Sequence, residues 1–102
     1  MTKYVYLISD LNNYTYKIGI SKNPEDRIKS LQTGNDRILK IIHKVLCENY
    51  FDVERALHNK YGFLKINGEW FNLTSEEVND FPNFCKKIDE NFKIIKSFKL
   101  YL

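Results

Sequence analysis

Tyr4, Tyr6, Lys17, Gly19, Arg27, Glu54 and His58 are the residues of this chain whose types and spacing could do chemistry. Tyr4 and Tyr6 are two apart in a run of β-branched and aromatic residues, so they share one face of a strand. Lys17 and Gly19 share a face of the next strand by the same period. A phenol beside a cation can orient or deprotonate a water, because the cation lowers its pKa. A guanidinium such as Arg27 offers a planar fork to two oxygens of one anion. Glu54 and His58, spaced i and i+4, share one stripe of a helix. A glutamate is a hard oxygen ligand of the kind Mg²⁺ or Mn²⁺ takes. Each residue also has an ordinary reading. Aromatic residues favour strands anyway, Lys17 fits a solvated surface, Arg27 can pair with Asp26, and Glu54 can pair with His58 or Lys60.

These groups must be positioned by elements that the pattern makes legible. Residues 3–9 read as a strand, and residues 14–20 as a second. The polar break from Asp10 to Asn13 is short enough to permit only an antiparallel hairpin. Asn23 is a good N-cap, Pro24 suits the first helical position, and Glu25 and Asp26 suit the positive helix end. That helix runs to about Gln32 with Ile28 and Leu31 facing the core, and Thr33-Gly34-Asn35 stops it. Residues 38–47 read as a third strand, and residues 50–61 as a helix buried along Val53, Leu57 and Tyr61. Gly62 marks the end of that helix. Residues 63–73 hold an Asn67-Gly68 turn signal and a short aromatic strand with Trp70 and Phe71 in the core. Thr74 and Glu77 have capping-box spacing. Pro82 is expected to break or kink the helix that starts there. A last helix over 83–98 then presents Phe84, Ile88, Phe92 and Ile95 to the core. Phe98 and Leu100 extend its apolar character for packing or for a partner. Strand, strand, helix, strand, helix and terminal helices describe one small α+β domain over residues 1–102.

Bulk properties narrow the function classes. A chain of 102 residues, 43% hydrophobic and 15% aromatic, can bury a real core and is not composed like a disordered one. No apolar run approaches the roughly 20 residues of a membrane span. Met1-Thr2-Lys3 leads straight into a strand, so no signal peptide is expected. Cys47 and Cys85 have no short spacing and read as intracellular free thiols. Gathering Cys47, Cys85, His43 and His58 into a zinc site is not expected. The N-x-T sequons at Asn13 and Asn72 are chance occurrences in such a chain. Residues 1–45 carry eight Lys/Arg against four Asp/Glu, whereas residues 46–102 carry eight against nine. The basic excess therefore lies with the opening hairpin, which suits a phosphate-bearing partner as well as a solvated lysine surface.

"YVY" in one strand, "YKIG" in the next, "PEDRIKSLQTGN" as a helix, then "VERALH" and "NGEWF" together resemble the GIY-YIG endonuclease superfamily. The closer likeness is to its small branch found in phages, large viruses and many microbes. The resemblance covers residues 3–73 and leaves 74–102 as a helical extension. It implies a three-stranded antiparallel sheet flanked by helices, and metal-assisted hydrolysis of a phosphodiester. The family's site residues carry over to Tyr6, Lys17, Arg27 and Glu54, with Glu54 holding one Mg²⁺ or Mn²⁺. His58 joins them as a residue that orients Glu54 or touches phosphate. Tyr4, Gly19, Lys22 and Asn72 are the matching substrate-binding positions. The chemistry independently asks for such groups: an activated water, neutralised phosphoryl oxygens and help for the leaving oxygen. Lys17 is the cation expected to lower the pKa of Tyr6.

The chain departs from the family pattern in three places. Tyr4 replaces the glycine of the first triplet. Lys17 replaces the tyrosine of the second, with Tyr16 one residue earlier on the opposite face. Asn72 stands for the family's late asparagine at a longer distance from Glu54. Glu69 reads either as a second acidic site residue or as part of a turn. Two function classes follow. One is a divalent-metal-dependent endonuclease that cuts or nicks DNA, with RNA also possible as substrate, acting inside the cell as a monomer or homodimer away from any membrane. The other is a catalytically inactive nucleic-acid- or protein-binding module on the same fold.

Overall fold

The computed structural model describes residues 1–12, 14–34 and 36–99. Asn13 and Asn35, expected in the hairpin turn and helix stop, and Leu100, expected in the terminal helix, lie outside the described residues. The described residues form strands β1 (Lys3–Asp10), β2 (Thr15–Ser21), β3 (Leu39–Cys47), β4 (Lys65–Asn67) and β5 (Trp70–Phe71). Helices α1 (Pro24–Gln32), α2 (Tyr50–Lys60) and α3 (Ser75–Lys99) connect or follow them. All neighbouring strands are antiparallel, in the order β3-β1-β2-β5-β4.

The sheet thus has five strands where three were expected. Asn67 and Gly68 turn the chain back on itself, with Gly68 in the left-handed region at φ 54°. The resulting hairpin adds β5 to the outer edge of β2, pairing Tyr16 with Phe71 and Lys17 with Trp70. Strands of three and two residues are too short to show an alternating pattern in sequence, and their partner strand stabilises them.

Alternation sorts β1, an interior strand, between two layers. Val5 and Leu7 face one side, where they join Ile18, Phe71, Val53 and Leu57 of α2, Tyr61 just past it, and Val78, Phe81 and Cys85 of α3. Tyr6 and Ile8 face the other, joined by Leu39 and covered by Ile28 and Leu31 of α1, with Ile41 and Trp70 at the margin. The caps form as their residue types dictate. Asn23 Oδ1 accepts from Asp26 N at 3.2 Å. Thr74 and Glu77 exchange the two bonds of a capping box at 2.9 and 3.2 Å. Gly34 takes the left-handed conformation past α1, at φ 71°. Gly62 is not a left-handed cap: α2 passes through Tyr61 into a 3₁₀ turn over Gly62–Leu64.

Pro82 does not divide the last helix. It lies inside one continuous α3 of 25 residues. A proline removes the bond to the carbonyl four residues back, at a cost of about 3 kcal/mol. Val78, Phe81, Cys85 and Asp89 are all buried along this helix, so packing on both sides of Pro82 outweighs that loss. The buried stripe differs from the expected one accordingly. Phe84 and Ile88 flank it, and Ile95 and Phe98 are exposed. Buried Asp89 links α3 to the start of α2, accepting from Asn49 N at 2.7 Å and Glu48 N at 3.2 Å. That anchors the helix that carries Glu54 and His58. No described helix is long and apolar enough to cross a membrane.

Candidate functional site

The strand register puts Tyr6 opposite Gly19, and Ile8 opposite Lys17. The Tyr6 ring lies directly across Gly19. A Cβ at Gly19 would overlap the Tyr6 hydroxyl and stand 2.5 Å from its Cζ. Glycine is therefore required at residue 19 by the phenol that crosses it, for close approach and not for an unusual φ. Tyr6 itself is 2% exposed.

Three charged groups act on the Tyr6 hydroxyl: the Arg27 guanidinium of α1, and the Glu69 and Glu54 carboxylates. Burial raises the Tyr6 pKa above its ordinary value of 10.0, Arg27 lowers it in part, and the carboxylates add to the rise. At neutral pH the group is a phenol. Lys17 is not the cation facing Tyr6, a correction to the expectation from sequence. Two residues along the same face of β2, it points to Glu69 Oε2 at 3.4 Å and lies 5.8 Å from the centre of the Trp70 ring. Lys17 is also nearly buried, so the ordinary reading of a solvated surface lysine does not hold.

Glu54 projects from α2 at the edge of β2. Pairing with β5 covers Tyr16 and Lys17, and Ile18 N adds a bond to Glu69 O at 3.2 Å. His58 takes up the Ile18 carbonyl, with Nε2 3.3 Å from the oxygen. A carbonyl only accepts, so Nε2 carries the hydrogen and donates it. The His58 ring also stands edge-on to Phe71, with 5.0 Å between centroids. His58 thereby ties α2 to β2 one turn beyond Glu54. Burial raises the Glu54 pKa above 4.5; His58 lowers it, Glu69 raises it and Lys17 lowers it. A half-buried carboxylate with a second carboxylate near it and its charge incompletely offset suits a divalent cation. The donor set fits Mg²⁺ or Mn²⁺, which bind through one or two carboxylates and keep several waters. Among the described residues no group of three His, Cys, Asp or Glu side chains forms a protein cage for a metal. Cys47 and Cys85 are buried free thiols on the closed face of the sheet, the Cys47 thiol pushed up to about 12 by burial.

The remaining sequence candidates sit at the margins. Tyr4, opposite Ser21 on the face of Tyr6, has the Lys44 amine 5.1 Å from its ring. Lys44 pairs with Glu25 of α1 at 2.6 Å. Lys22 is exposed on the link into α1. Asn72 is exposed past the end of β5, its backbone N–H donating to Leu64 O at 2.9 Å. Among the described residues no hydrogen bond or ion pair joins Lys22 or the Asn72 side chain to the group around Tyr6. Glu69 lies in the turn between β4 and β5, its backbone carbonyl accepting from Ile18 N and its carboxylate pairing with Lys17.

Sequence reasoning missed Arg37. Its Nη1 bonds buried Asp10 at 2.9 Å, and its guanidinium lies 4.6 Å from the centre of the Trp70 ring. Arg37 lies on the loop between α1 and β3, which Asp10 at the end of β1 holds across the sheet toward Trp70; no local pattern could have found it.

Comparison with known proteins gives one family. The model of the T5orf172 domain, a GIY-YIG-related domain, matches residues 3–86. No curated protein and no solved structure matches the chain.

Proposed function

The chain belongs to the T5orf172 domain family, and from that premise we propose that it is a divalent-metal-dependent endonuclease hydrolysing phosphodiester bonds in DNA. The observation that carries the reading is the Tyr6 phenol, laid across Gly19 with Arg27, Glu54 and Glu69 all acting on its hydroxyl. A guanidinium, a phenol and a metal-competent carboxylate around one point are what in-line displacement at phosphorus needs.

Glu54 would hold a divalent cation, which when bound would neutralise phosphoryl charge and make water more acidic. Arg27 takes two phosphoryl oxygens in its fork and stabilises the charge that grows on them. Tyr6 stays protonated at neutral pH, so its hydroxyl orients the attacking water; as the water oxygen bonds phosphorus its proton passes to solvent, the phosphorus–ester bond breaks, and the departing oxygen takes a proton from solvent. Lys17 neutralises Glu69 and keeps the second carboxylate from repelling the phosphate. His58 is a positioning residue: it acts through the Ile18 carbonyl to hold Glu54 at the edge of β2. Tyr4, Gly19 and Lys22 line the approach of the strand.

The test is cleavage of plasmid DNA and of single- and double-stranded oligonucleotides with Mg²⁺ or Mn²⁺. Wild type should cut or nick at least one substrate, and Glu54→Gln should not. Wild type as inert as Glu54→Gln on every substrate with both metals overturns the reading. Binding that then survives both Glu54→Gln and Arg27→Ala would identify a module that holds nucleic acid without cutting it.

A further inference from the structure

A second feature lies on the same face of the sheet as Tyr6. Thr15, Arg37, Ile66, Asn67 and Trp70 line a pocket of about 290 Å³. Its size is at the lower end of the roughly 300–1,000 Å³ of small-molecule sites, which suits one planar ring system better than a larger ligand. The row Gly19, Lys17, Thr15 on β2 connects it to the cleft. Tyr6 crosses one end of that row, Lys17 stands in the middle, and the pocket opens at the other. Four strand residues span roughly 13 Å, the scale of adjoining nucleotides on one strand.

The lining has the chemistry of a base-stacking site. The Arg37 guanidinium is fixed by its bond to buried Asp10 and backed by the Trp70 ring. A guanidinium held against an aromatic ring offers a surface on which a nucleobase stacks. Ile66, 58% exposed, supplies an apolar wall on the β4–β5 hairpin. Asn67 and Thr15 bring an amide and a hydroxyl, which can donate to or accept from a base edge. Lys17, between pocket and cleft, pairs with Glu69 and lies 5.8 Å from the centre of the Trp70 ring, so the wall joining the two carries no uncompensated negative charge toward the strand.

We propose that this pocket is a nucleobase subsite that takes one unpaired base from the strand whose backbone runs through the Tyr6 cleft. The proposal rests on the phosphodiester reading above and narrows its substrate class. A base inside a duplex cannot reach a pocket of this kind, so the preferred DNA is single-stranded, or carries an unpaired nucleotide near the cut.

Trp70 is the chain's only tryptophan, so its fluorescence reports on this pocket directly. Titration without divalent metal, at fixed low salt, compares a short single-stranded DNA with an all-abasic strand of the same length and with a blunt duplex. The intact single strand should quench Trp70 and bind about 5- to 150-fold more tightly than the abasic strand, the ratio expected for one stacked base. The duplex should leave the fluorescence unchanged. Ile66→Asp, at an exposed position, should erase the difference between intact and abasic strands without shifting the unfolding midpoint. Equal affinity and equal quenching by intact and abasic strands overturns the subsite. Equal quenching by duplex and single strand overturns the unpaired-base preference. Because no metal is present, failure of cleavage and failure of the pocket are read separately.

Discussion

The two faces of the sheet are built on different terms. One face is closed by two helices over a continuous apolar cluster that runs from Val5 and Leu7 to Phe81 and Cys85. The other is covered by the nine-residue α1 over a small cluster centred on Tyr6, Ile8 and Leu39. The first face makes the domain stable. The second has less apolar cover, and there the buried Tyr6 and Lys17 meet Arg27, Glu54 and Trp70. A sheet this small can carry a site because the larger share of its apolar burial lies on the other face.

The sharpest way to break this contrast is to empty the closed face. Phe81→Ala should cost about 3–5 kcal/mol in urea unfolding, a large share of the stability of a domain this size. Ile28→Ala, from the partly buried cover of the open face, should cost clearly less. A comparable loss for Ile28→Ala would mean that both faces carry the fold.

On the open face the large effect belongs to cleavage. Glu54→Gln and Arg27→Ala should each reduce cleavage by roughly 10²–10³-fold, as loss of a preorganised charged partner does. Neither should lower the unfolding midpoint appreciably. Glu54 should do the reverse at neutral pH. Its folded pKa is raised above 4.5, so its favourable contribution is present below pH 4.5 and is lost as pH rises through the folded value. Glu54→Gln should therefore be neutral or stabilising at pH 7. Mg²⁺ or Mn²⁺ should raise the melting temperature of wild type more at pH 7 than at pH 4, and should not do so for Glu54→Gln. Calorimetry of both proteins at the two pH values checks this.

Gly19→Ala joins the two kinds of effect. The added methyl must displace the Tyr6 ring, at about 1–3 kcal/mol for an overpacked site. Cleavage should fall with it. Tyr6→Leu made together with Gly19→Ala should recover stability but not cleavage, so the double-mutant cycle should show strong coupling.

Smaller effects compare one buried tyrosine on each face. Burial raises both, Tyr61 to about 12, whereas Arg27 offsets part of the rise at Tyr6. Raised phenol pKa values stabilise the fold below pH 10, and that contribution is lost as pH climbs through the folded values. Arg27→Ala should move the Tyr6 ionisation further up and leave Tyr61 unchanged, as followed by ultraviolet absorbance of tyrosinate. Lys44→Met, which breaks an exposed pair with Glu25, should leave the unfolding midpoint where it is.

Local chemistry accounts for what could be read without a structure. Asn23 and Thr74 cap helices because their side-chain oxygens reach the free N–H groups of the first turn. Val53, Leu57 and Tyr61 are buried because their spacing of four makes one stripe. Tyr6 and Gly19 could be assigned to the same region because a short turn permits only a hairpin. Pro82 misled because its cost is local while the burial that offsets it comes from residues far away in sequence.

The amino-acid order alone determined the principal strands and helices, their caps, and the residue types able to handle phosphate and metal. Those depend on interactions a few residues long, and strand period and helix period record them directly. Only the tertiary structure decided which charges meet. The packing of α1 on the sheet gives Tyr6 to Arg27, and the β2–β5 register gives Lys17 to Glu69. The path of the α1–β3 loop, held by Asp10, brings Arg37 onto Trp70 across a gap of 33 residues. Coulomb energy and stacking depend on distance through space, and that distance exists only once the sheet has chosen its neighbours.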